Sequence, residues 1–195
     1  MKEEEIIFKV ITIGDSGVGK SSIIKRYTYN IFEEETLSTI GLSYAFKEVE
    51  VENGKKVKIK LIDTGGQEKY RALCKSYFRN ANAVLFVFSM NNENTLKNIN
   101  DWIETFKNYS NENIVKYLIG NKVDLGEEVD MNLINQISKD NNLKYKSISS
   151  KENISIDELF QEICNDLYQN YKKSNKKENL KIEKHKHGKK RKKKC

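Results

Sequence analysis

The sequence has no long apolar segment. Nowhere does it approach the roughly 18 consecutive apolar residues that a membrane-spanning helix needs. Its first residues, from Met1 to Glu5, are mostly charged, so they also lack the apolar run of a secretory signal. We therefore expect a protein that is made and kept in the cytosol.

Cysteine is scarce, and its placement excludes two common structural uses. The three cysteines, Cys74, Cys164 and Cys195, have no metal-ligand spacing, and an odd number cannot form a closed set of disulfides. We expect reduced thiols. Cys164 lies at helical spacing among apolar residues and is predicted to be a small buried hydrophobe, whereas Cys195 is the last residue of the sequence.

Negative charge is nearly missing from the end of the sequence. Residues 172–195 contain 13 lysines and arginines against two acidic residues, a charge of +11, while residues 1–171 contain 22 against 26, a charge of −4. The apolar periodicity of packed elements also stops after Tyr171. We therefore predict one domain over 1–171 and a disordered polybasic tail over 172–195.

Patterns of strand and helix alternate along the predicted domain. The apolar run at 83–88 is typical of a central strand covered on both faces, and Asn53-Gly54 favours a tight hairpin turn. The prediction is an α/β fold, with a six-stranded, mostly parallel sheet, one antiparallel hairpin strand and helices on both faces. Ligands of such sheets bind at the C-terminal ends of the strands. Strands are predicted at 6–13, 45–52, 56–62, 83–88, 114–119 and 143–148. Helices are predicted after residue 21 to about residue 29, over 96–106, near 130–140 and at the end of the domain.

The segment between the first strand and the first helix matches a phosphate-binding loop, Gly14-x-x-x-x-Gly19-Lys20-Ser21. Glycines let backbone N–H groups surround a phosphate, the lysine neutralises terminal phosphate oxygens, and the serine hydroxyl can bind Mg²⁺. The pattern alone does not separate ATP from GTP, and a glycine-rich turn with a surface lysine is the alternative. The predicted nucleotide contacts are Asp15, Ser16, Gly17, Val18, Gly19, Lys20, Ser21 and Ser22.

A second candidate segment follows the third predicted strand. There Asp63 is placed to hold a magnesium-bound water, Gln67 is placed to orient an attacking water, and Gly66 is a further candidate contact to the nucleotide. Taken alone, this segment could be an ordinary turn. Combined with the phosphate loop it predicts hydrolysis, with Lys20 and Gln67 as the catalytic residues.

Two further polar segments, 121–124 and 149–151, follow later strands at the same expected edge of the sheet. A carboxylate at Asp124 can accept hydrogen bonds from the ring N1–H and the amino group of guanine, but it would face the N1 lone pair of adenine. Such a mismatch costs ~1–3 kcal/mol or more, so these segments predict GTP rather than ATP. The predicted contacts are Asn121, Lys122, Asp124, Ser149, Ser150 and Lys151.

With these motifs in order, the sequence over about residues 6–170 resembles the small GTPases of the Ras superfamily, and most closely the Rab branch. The resemblance implies that Thr39 binds Mg²⁺ in the GTP state only and that Phe32 packs edge-on against guanine. The implied metal ligands are then Ser21, Thr39 and Asp63. Rab-like character lies in the segments 38–41, 60–64, 69–71 and 76–81.

The resemblance also implies partners for a monomeric protein. Two switch segments, at about 33–45 and 64–80, would order around the γ-phosphate and present a surface to effectors, exchange factors and GTPase-activating proteins. Ile62 stands where the family usually has tryptophan, and Gly65 where it usually has alanine, which implies a different effector surface and hydrolysis rate. Candidate effector contacts, each of which could equally be a core residue, are Ile40, Phe46, Tyr70, Leu73 and Tyr77.

The basic run from Lys189 to Cys195 has three interpretations. It can be a solvated charge run, or a nuclear or nucleic-acid-binding segment. The third interpretation, which we favour, is prenylation of Cys195 beside a polybasic patch that anionic lipid attracts by ~1 kcal/mol per basic residue. A C-a-a-X box is absent. The protein would then be cytoplasmic and reversibly associated with a membrane, with no nucleic-acid partner.

Together the residues and the resemblance predict a small GTPase switch that hydrolyses GTP to GDP, uses Mg²⁺, recruits effectors in the GTP state and regulates membrane traffic. Three alternatives stay open. The chain could be a GTP-binding signalling module with little hydrolysis, a phosphate-loop ATPase or kinase, or a GTPase that its tail directs to the nucleus or to nucleic acid.

Overall fold

The computed structural model describes residues 5–34, 42–64, 78–109, 114–126 and 128–191, with the backbone alone over 177–191. Within these ranges six strands form one sheet in the order β2-β3-β1-β4-β5-β6. The β2–β3 pair is antiparallel, and the other neighbours are parallel. The predicted fold class is therefore confirmed. The strands are β1 Ile7–Ile13, β2 Leu42–Val51, β3 Lys55–Thr64, β4 Ala83–Ser89, β5 Val115–Asn121 and β6 Lys144–Ser147.

Five α-helices connect or follow the strands in the described ranges. Asn92 and Asp130 cap the starts of the second and fourth helices, because each side chain accepts a hydrogen bond from the backbone N–H two residues later. Asn98 separates the second and third helices, so the pattern predicted as one helix over 96–106 is divided in two. The helices are α1 Lys20–Tyr29, α2 Glu93–Lys97, α3 Ile99–Lys107, α4 Met131–Asn141 and α5 Ile156–Arg191.

The helices cover the sheet on both faces, and each face has its own apolar core. Ile23 of α1 and Phe160 of α5 pack on one face, whereas Phe106 of α3 and Ile134 of α4 pack on the other. Every residue of β4 is buried, as expected of a strand between two cores. Cys164 is fully buried as predicted, and this burial raises the pKa of its thiol to about 12.

The last helix extends beyond the predicted end of the domain. It runs to Arg191, so the backbone over 172–191 is helical where the sequence predicts disorder. Loss of apolar periodicity removes a face to bury, but lysine and glutamate keep a high intrinsic preference for helix. The domain boundary at 171 stays a prediction. Among the described residues, none of the helices is both long and apolar enough to cross a bilayer.

Candidate nucleotide site

The phosphate loop lies between the end of β1 and the start of α1, and its backbone conformation requires glycine at two positions. Gly14 has φ +149° and Gly19 has φ +96°. A Cβ atom on Gly14 would lie 2.1 Å from the carbonyl oxygen of Val87, and one on Gly19 would lie 2.3 Å from the side-chain nitrogen of Asn121. The loop can therefore pack closely against β4 and β5 only with glycine at both positions.

Lys20 places its ammonium group inside this loop. Its Nζ donates to the carbonyl of Gly14 at 2.9 Å and to the carbonyl of Asp15 at 2.7 Å, and the residue is only 5% exposed. The first turn of α1 contains no acidic residue. A fixed cation beside the positive end of a helix favours a bound anion, which is the arrangement that a phosphate needs.

Asp15 turns its side chain away from the loop. Its Oδ1 accepts a hydrogen bond from Trp102 Nε1 at 2.8 Å, and its Oδ2 accepts one from Asn98 Nδ2 at 2.7 Å. The carboxylate thus anchors the loop to the α2–α3 region, and its contribution to nucleotide binding would come from its backbone. Nothing in the sequence pattern identified Asn98 or Trp102 as partners of this loop.

Two of the three predicted magnesium ligands lie among the described residues. Ser21 is the second residue of α1, and Asp63, 4% exposed, is the second-last residue of β3. Thr64 and Thr12 fasten the end of β3 to β1, because Thr64 Oγ1 donates to the Thr12 carbonyl at 2.7 Å and Thr12 Oγ1 donates to the Ile62 carbonyl at 3.3 Å. A hydroxyl and one carboxylate are hard oxygen donors that fit Mg²⁺. Within the described ranges, no group of three His, Cys, Asp or Glu side chains could hold a metal instead.

Segments 121–124 and 149–151, which are predicted to bind the base, are called the base segments. Asn121, in the first of them, joins the phosphate loop to the second. It is fully buried at the end of β5, and its Nδ2 donates to the carbonyl of Val18 at 2.9 Å and to Ser150 Oγ at 3.3 Å. Its Oδ1 accepts from the backbone N–H of Ser150 at 3.1 Å. Both ends of the amide are therefore satisfied inside the protein, so Asn121 arranges the site through its neighbours.

Asp124 is held by the neighbouring base segment. The Ser149 hydroxyl donates a short hydrogen bond to Asp124 Oδ1 and accepts one from the backbone N–H of Glu152 at 3.0 Å. Lys122 adopts the left-handed conformation, with φ 69°, and leads into the 3-10 turn Val123–Leu125 that carries the carboxylate. The carboxylate is partly exposed, with one oxygen committed to the serine.

Three contacts tie the segment 149–151 to the chain around α1. Arg26 donates to the carbonyls of Ser150 and Lys151, each at 2.9 Å. Lys151 Nζ forms an ion pair with Glu34 Oε1 at 2.9 Å, and the hydrogen bond to this carboxylate raises the pKa of the lysine. Arg26 was not predicted as a site residue, since on the sequence it is an ordinary helical arginine.

Several predicted site residues lie outside the described residues. These include Thr39, Gly66, Gln67 and Cys195, together with Ile40, Tyr70, Leu73 and Tyr77 among the candidate effector contacts. Phe46 is described: it is 44% exposed and packs edge-on against Tyr44, which is 65% exposed. Ile62 is 3% exposed, so it adds nothing to this aromatic surface.

Comparison with known proteins identifies the family. The sequence model of the Ras family matches residues 9–169. The human Ras-related protein Rab-30 is 33% identical over 165 residues, which cover 84% of this chain and 81% of that protein. Ras-related protein Rab-1 of Theileria parva is 35% identical over 170 residues, covering 86% and 77%, and Ras-related protein YPTC6 of Chlamydomonas reinhardtii is 36% identical over 166 residues, covering 84% and 76%. The chain therefore belongs to the Ras family, as a small GTP-binding protein and GTP hydrolase that is similar to the Rab proteins.

Proposed function

We propose that this GTPase is a Rab-like switch in membrane traffic, which recruits effectors while GTP is bound and releases them after hydrolysis. One observation carries the nucleotide-binding part of the proposal. The buried amide of Asn121 bonds to Val18 in the phosphate loop and to Ser150 in the base segment. A single side chain thus joins the phosphate loop to the segment after β6, and both of these segments are proposed to contact the same bound nucleotide.

The proposed choice of guanine rests on Asp124. Ser149 donates to one oxygen of this carboxylate, which fixes its orientation and leaves further acceptor capacity for the N1–H and amino group of guanine. Adenine would present a lone pair where the carboxylate needs a donor. An ATPase or kinase is disfavoured on the same ground.

For hydrolysis, the proposal assigns Lys20 to the terminal phosphate oxygens, where its buried ammonium would neutralise charge that grows in the transition state. Gln67 would orient the attacking water. When bound, Mg²⁺ would neutralise phosphate charge, held by Ser21, Asp63 and, in the GTP state, Thr39. No arginine is evident in the sequence as a finger in cis, so a GTPase-activating protein should be needed for fast turnover.

The proposed partners bind at the two switch segments, about 33–45 and 64–80. Phe46 and Tyr44 support this assignment, because two exposed aromatic side chains in contact make a surface suited to a protein partner. The tail over 172–195 is proposed to bind an anionic membrane surface through its charge of +11, with a lipid on Cys195 as the second anchor.

The nucleotide that the purified protein retains tests the proposal. Protein that is denatured after desalting should release nearly one molecule of guanine nucleotide per molecule of protein. In a single-turnover assay with Mg²⁺, loaded GTP should be hydrolysed to GDP. Retained GTP that is never hydrolysed, even with an activating protein, would favour the alternative of a binding module. Mass analysis of the C-terminus from the native source tests the lipid on Cys195, and an unmodified mass would contradict it.

A further inference from the structure

Arg26 lies in the last turn of α1, and its guanidinium reaches the base segment. Its Nε donates to the carbonyl of Ser150, and its Nη2 donates to the carbonyl of Lys151, each at 2.9 Å. Its Nη1 donates to the backbone and side-chain oxygens of Asn30 at 3.1 and 3.0 Å. One side chain thus ties the helix that follows the phosphate loop to the segment that follows β6.

The hydrogen bond from Arg26 to Lys151 is linked through further groups to Asp124, the carboxylate that would select guanine. A trans peptide is planar, so fixing the carbonyl of Lys151 also fixes the N–H of Glu152 on the opposite edge of that peptide. This N–H donates to the Ser149 hydroxyl at 3.0 Å, and the hydroxyl donates to Asp124. A continuous chain of bonded groups therefore leads from the guanidinium to the carboxylate.

The hydrogen bond to Ser150 fixes the same segment at a second point. The N–H of Ser150 donates to Asn121 while its carbonyl accepts from Arg26, so both backbone groups of this residue are held from different elements. The guanidinium also lies over the Phe32 ring, 6.0 Å from its centroid. Phe32 is the residue proposed to pack against guanine, so Arg26 contacts both proposed walls of the base site.

We propose that Arg26 is a positioning residue of the guanine site, which holds segment 149–152 so that Ser149 keeps the Asp124 carboxylate aimed at the base. Arg26 thereby sets both how long the nucleotide is retained and how strongly guanine is preferred; the inference rests on the guanine site proposed above. The planar guanidinium presents several N–H groups in a fixed fork and so reaches two adjacent carbonyls, which a single ammonium group does not match.

The test compares the release rates of GDP and of inosine diphosphate (IDP) from the wild-type protein, from Arg26→Met and from Arg26→Lys. IDP lacks the exocyclic amino group, so it has one bond fewer to the Asp124 carboxylate. Arg26→Met should speed GDP release by roughly 10- to 100-fold, the effect expected when the Asp124 carboxylate is no longer held in place and loses about one hydrogen bond to the base. IDP release should speed up less, so the ratio of the IDP to the GDP release rate should fall towards one. In Arg26→Lys this ratio should lie between the wild-type value and the Arg26→Met value. If the methionine variant does not fold, the ratio in the lysine variant is the test.

A matched control separates positioning from a general effect on α1. Lys25→Met removes the same charge one residue earlier, where Lys25 pairs with Glu33 at 2.6 Å. This control should keep the wild-type ratio of the two release rates. An unchanged ratio in both Arg26 variants, including equal acceleration of GDP and IDP release, would overturn the positioning role. Wild-type protein that retains neither nucleotide would overturn the guanine site itself.

Discussion

The side-chain amide of Asn121 donates a hydrogen bond to the carbonyl of Val18 at 2.9 Å, although the two residues lie 103 positions apart in the chain. Asn121 is the last residue of β5, and Val18 lies in the phosphate loop. The parallel strands β1, β4 and β5 bring these segments to one edge of the sheet, where a ligand can contact both.

Asn121→Ala should weaken the binding of GDP and GTP together. It leaves the carbonyl of Val18 and the N–H of Ser150 without their buried partner, at a cost of about 1–3 kcal/mol for each group. Since the amide also holds the phosphate loop to the segment after β6, its loss should leave the site less ordered before binding, and affinity should fall by roughly 10-fold or more, measured by titration of a fluorescent guanine nucleotide. Asn94→Ala, an exposed change on α2, should keep the wild-type affinity. Equal affinities in both variants would contradict the bridging role.

Asp124→Asn should change which purine is bound. An amide cannot accept from both guanine donors, whereas it can donate to the oxygen that xanthine carries in place of the amino group. GTP affinity should fall by on the order of 100-fold, and the ratio of xanthosine to guanosine triphosphate affinity should rise. Asp130→Asn alters a carboxylate that caps α4 and serves as the control. A GTP preference that survives in Asp124→Asn would remove this residue from base recognition.

Asp15→Ala should loosen the contact between the phosphate loop and the α2–α3 region. Its carboxylate accepts from Trp102 and Asn98, so removing it should lower the free energy of unfolding by about 1–3 kcal/mol. The sequence has one tryptophan, so its emission reports on Trp102 alone and should shift in this variant. Thermal unfolding with GDP bound gives the stability, and Asp101→Ala on the exposed side of α3 is the control. An unaltered emission spectrum and midpoint would count against the anchor.

Gln67→Leu should slow hydrolysis of bound GTP without lowering GTP affinity. The residue is assigned to orient the attacking water, so its loss should reduce the single-turnover rate by roughly 10- to 100-fold. The measurement follows conversion of loaded GTP with Mg²⁺ present. Wild-type hydrolysis in this variant would show that another group orients the water.

Protonation of Glu162 should lower the stability of the fold in acid. Burial opposes ionisation of this carboxyl, but hydrogen bonds from Lys146 and Tyr117 and the charges of Lys146 and Lys144 outweigh it, so the pKa of Glu162 is lowered. The ionised group therefore stabilises the fold above its ordinary pKa of about 4.3, and this contribution is lost as the pH falls through the lowered value. Glu162→Gln should flatten the decline of the free energy of unfolding below about pH 5, measured by urea denaturation. Glu158→Gln, an exposed change on the same helix, should keep the wild-type slope.

The strands and motif loops were predictable because their signals are local. A run such as 83–88 is apolar on both faces, and the phosphate loop has its glycines at fixed spacing. The contacts of Arg26 with Ser150 and of Asp15 with Asn98 join residues 124 and 83 positions apart. The donors are Arg26, in the last turn of α1, and Asn98, between α2 and α3. At such positions an arginine or an asparagine looks like any surface residue in the sequence. The helix over 172–191 was missed because apolar periodicity reports packing and not backbone preference.

The selection of guanine over adenine can be measured by calorimetric titration of nucleotide-free protein with GTP and with ATP, both with Mg²⁺. GTP should bind tightly and saturably at one site, and ATP should give no measurable heat at the same concentrations. Equal affinities for the two triphosphates, or binding of neither, would contradict this prediction.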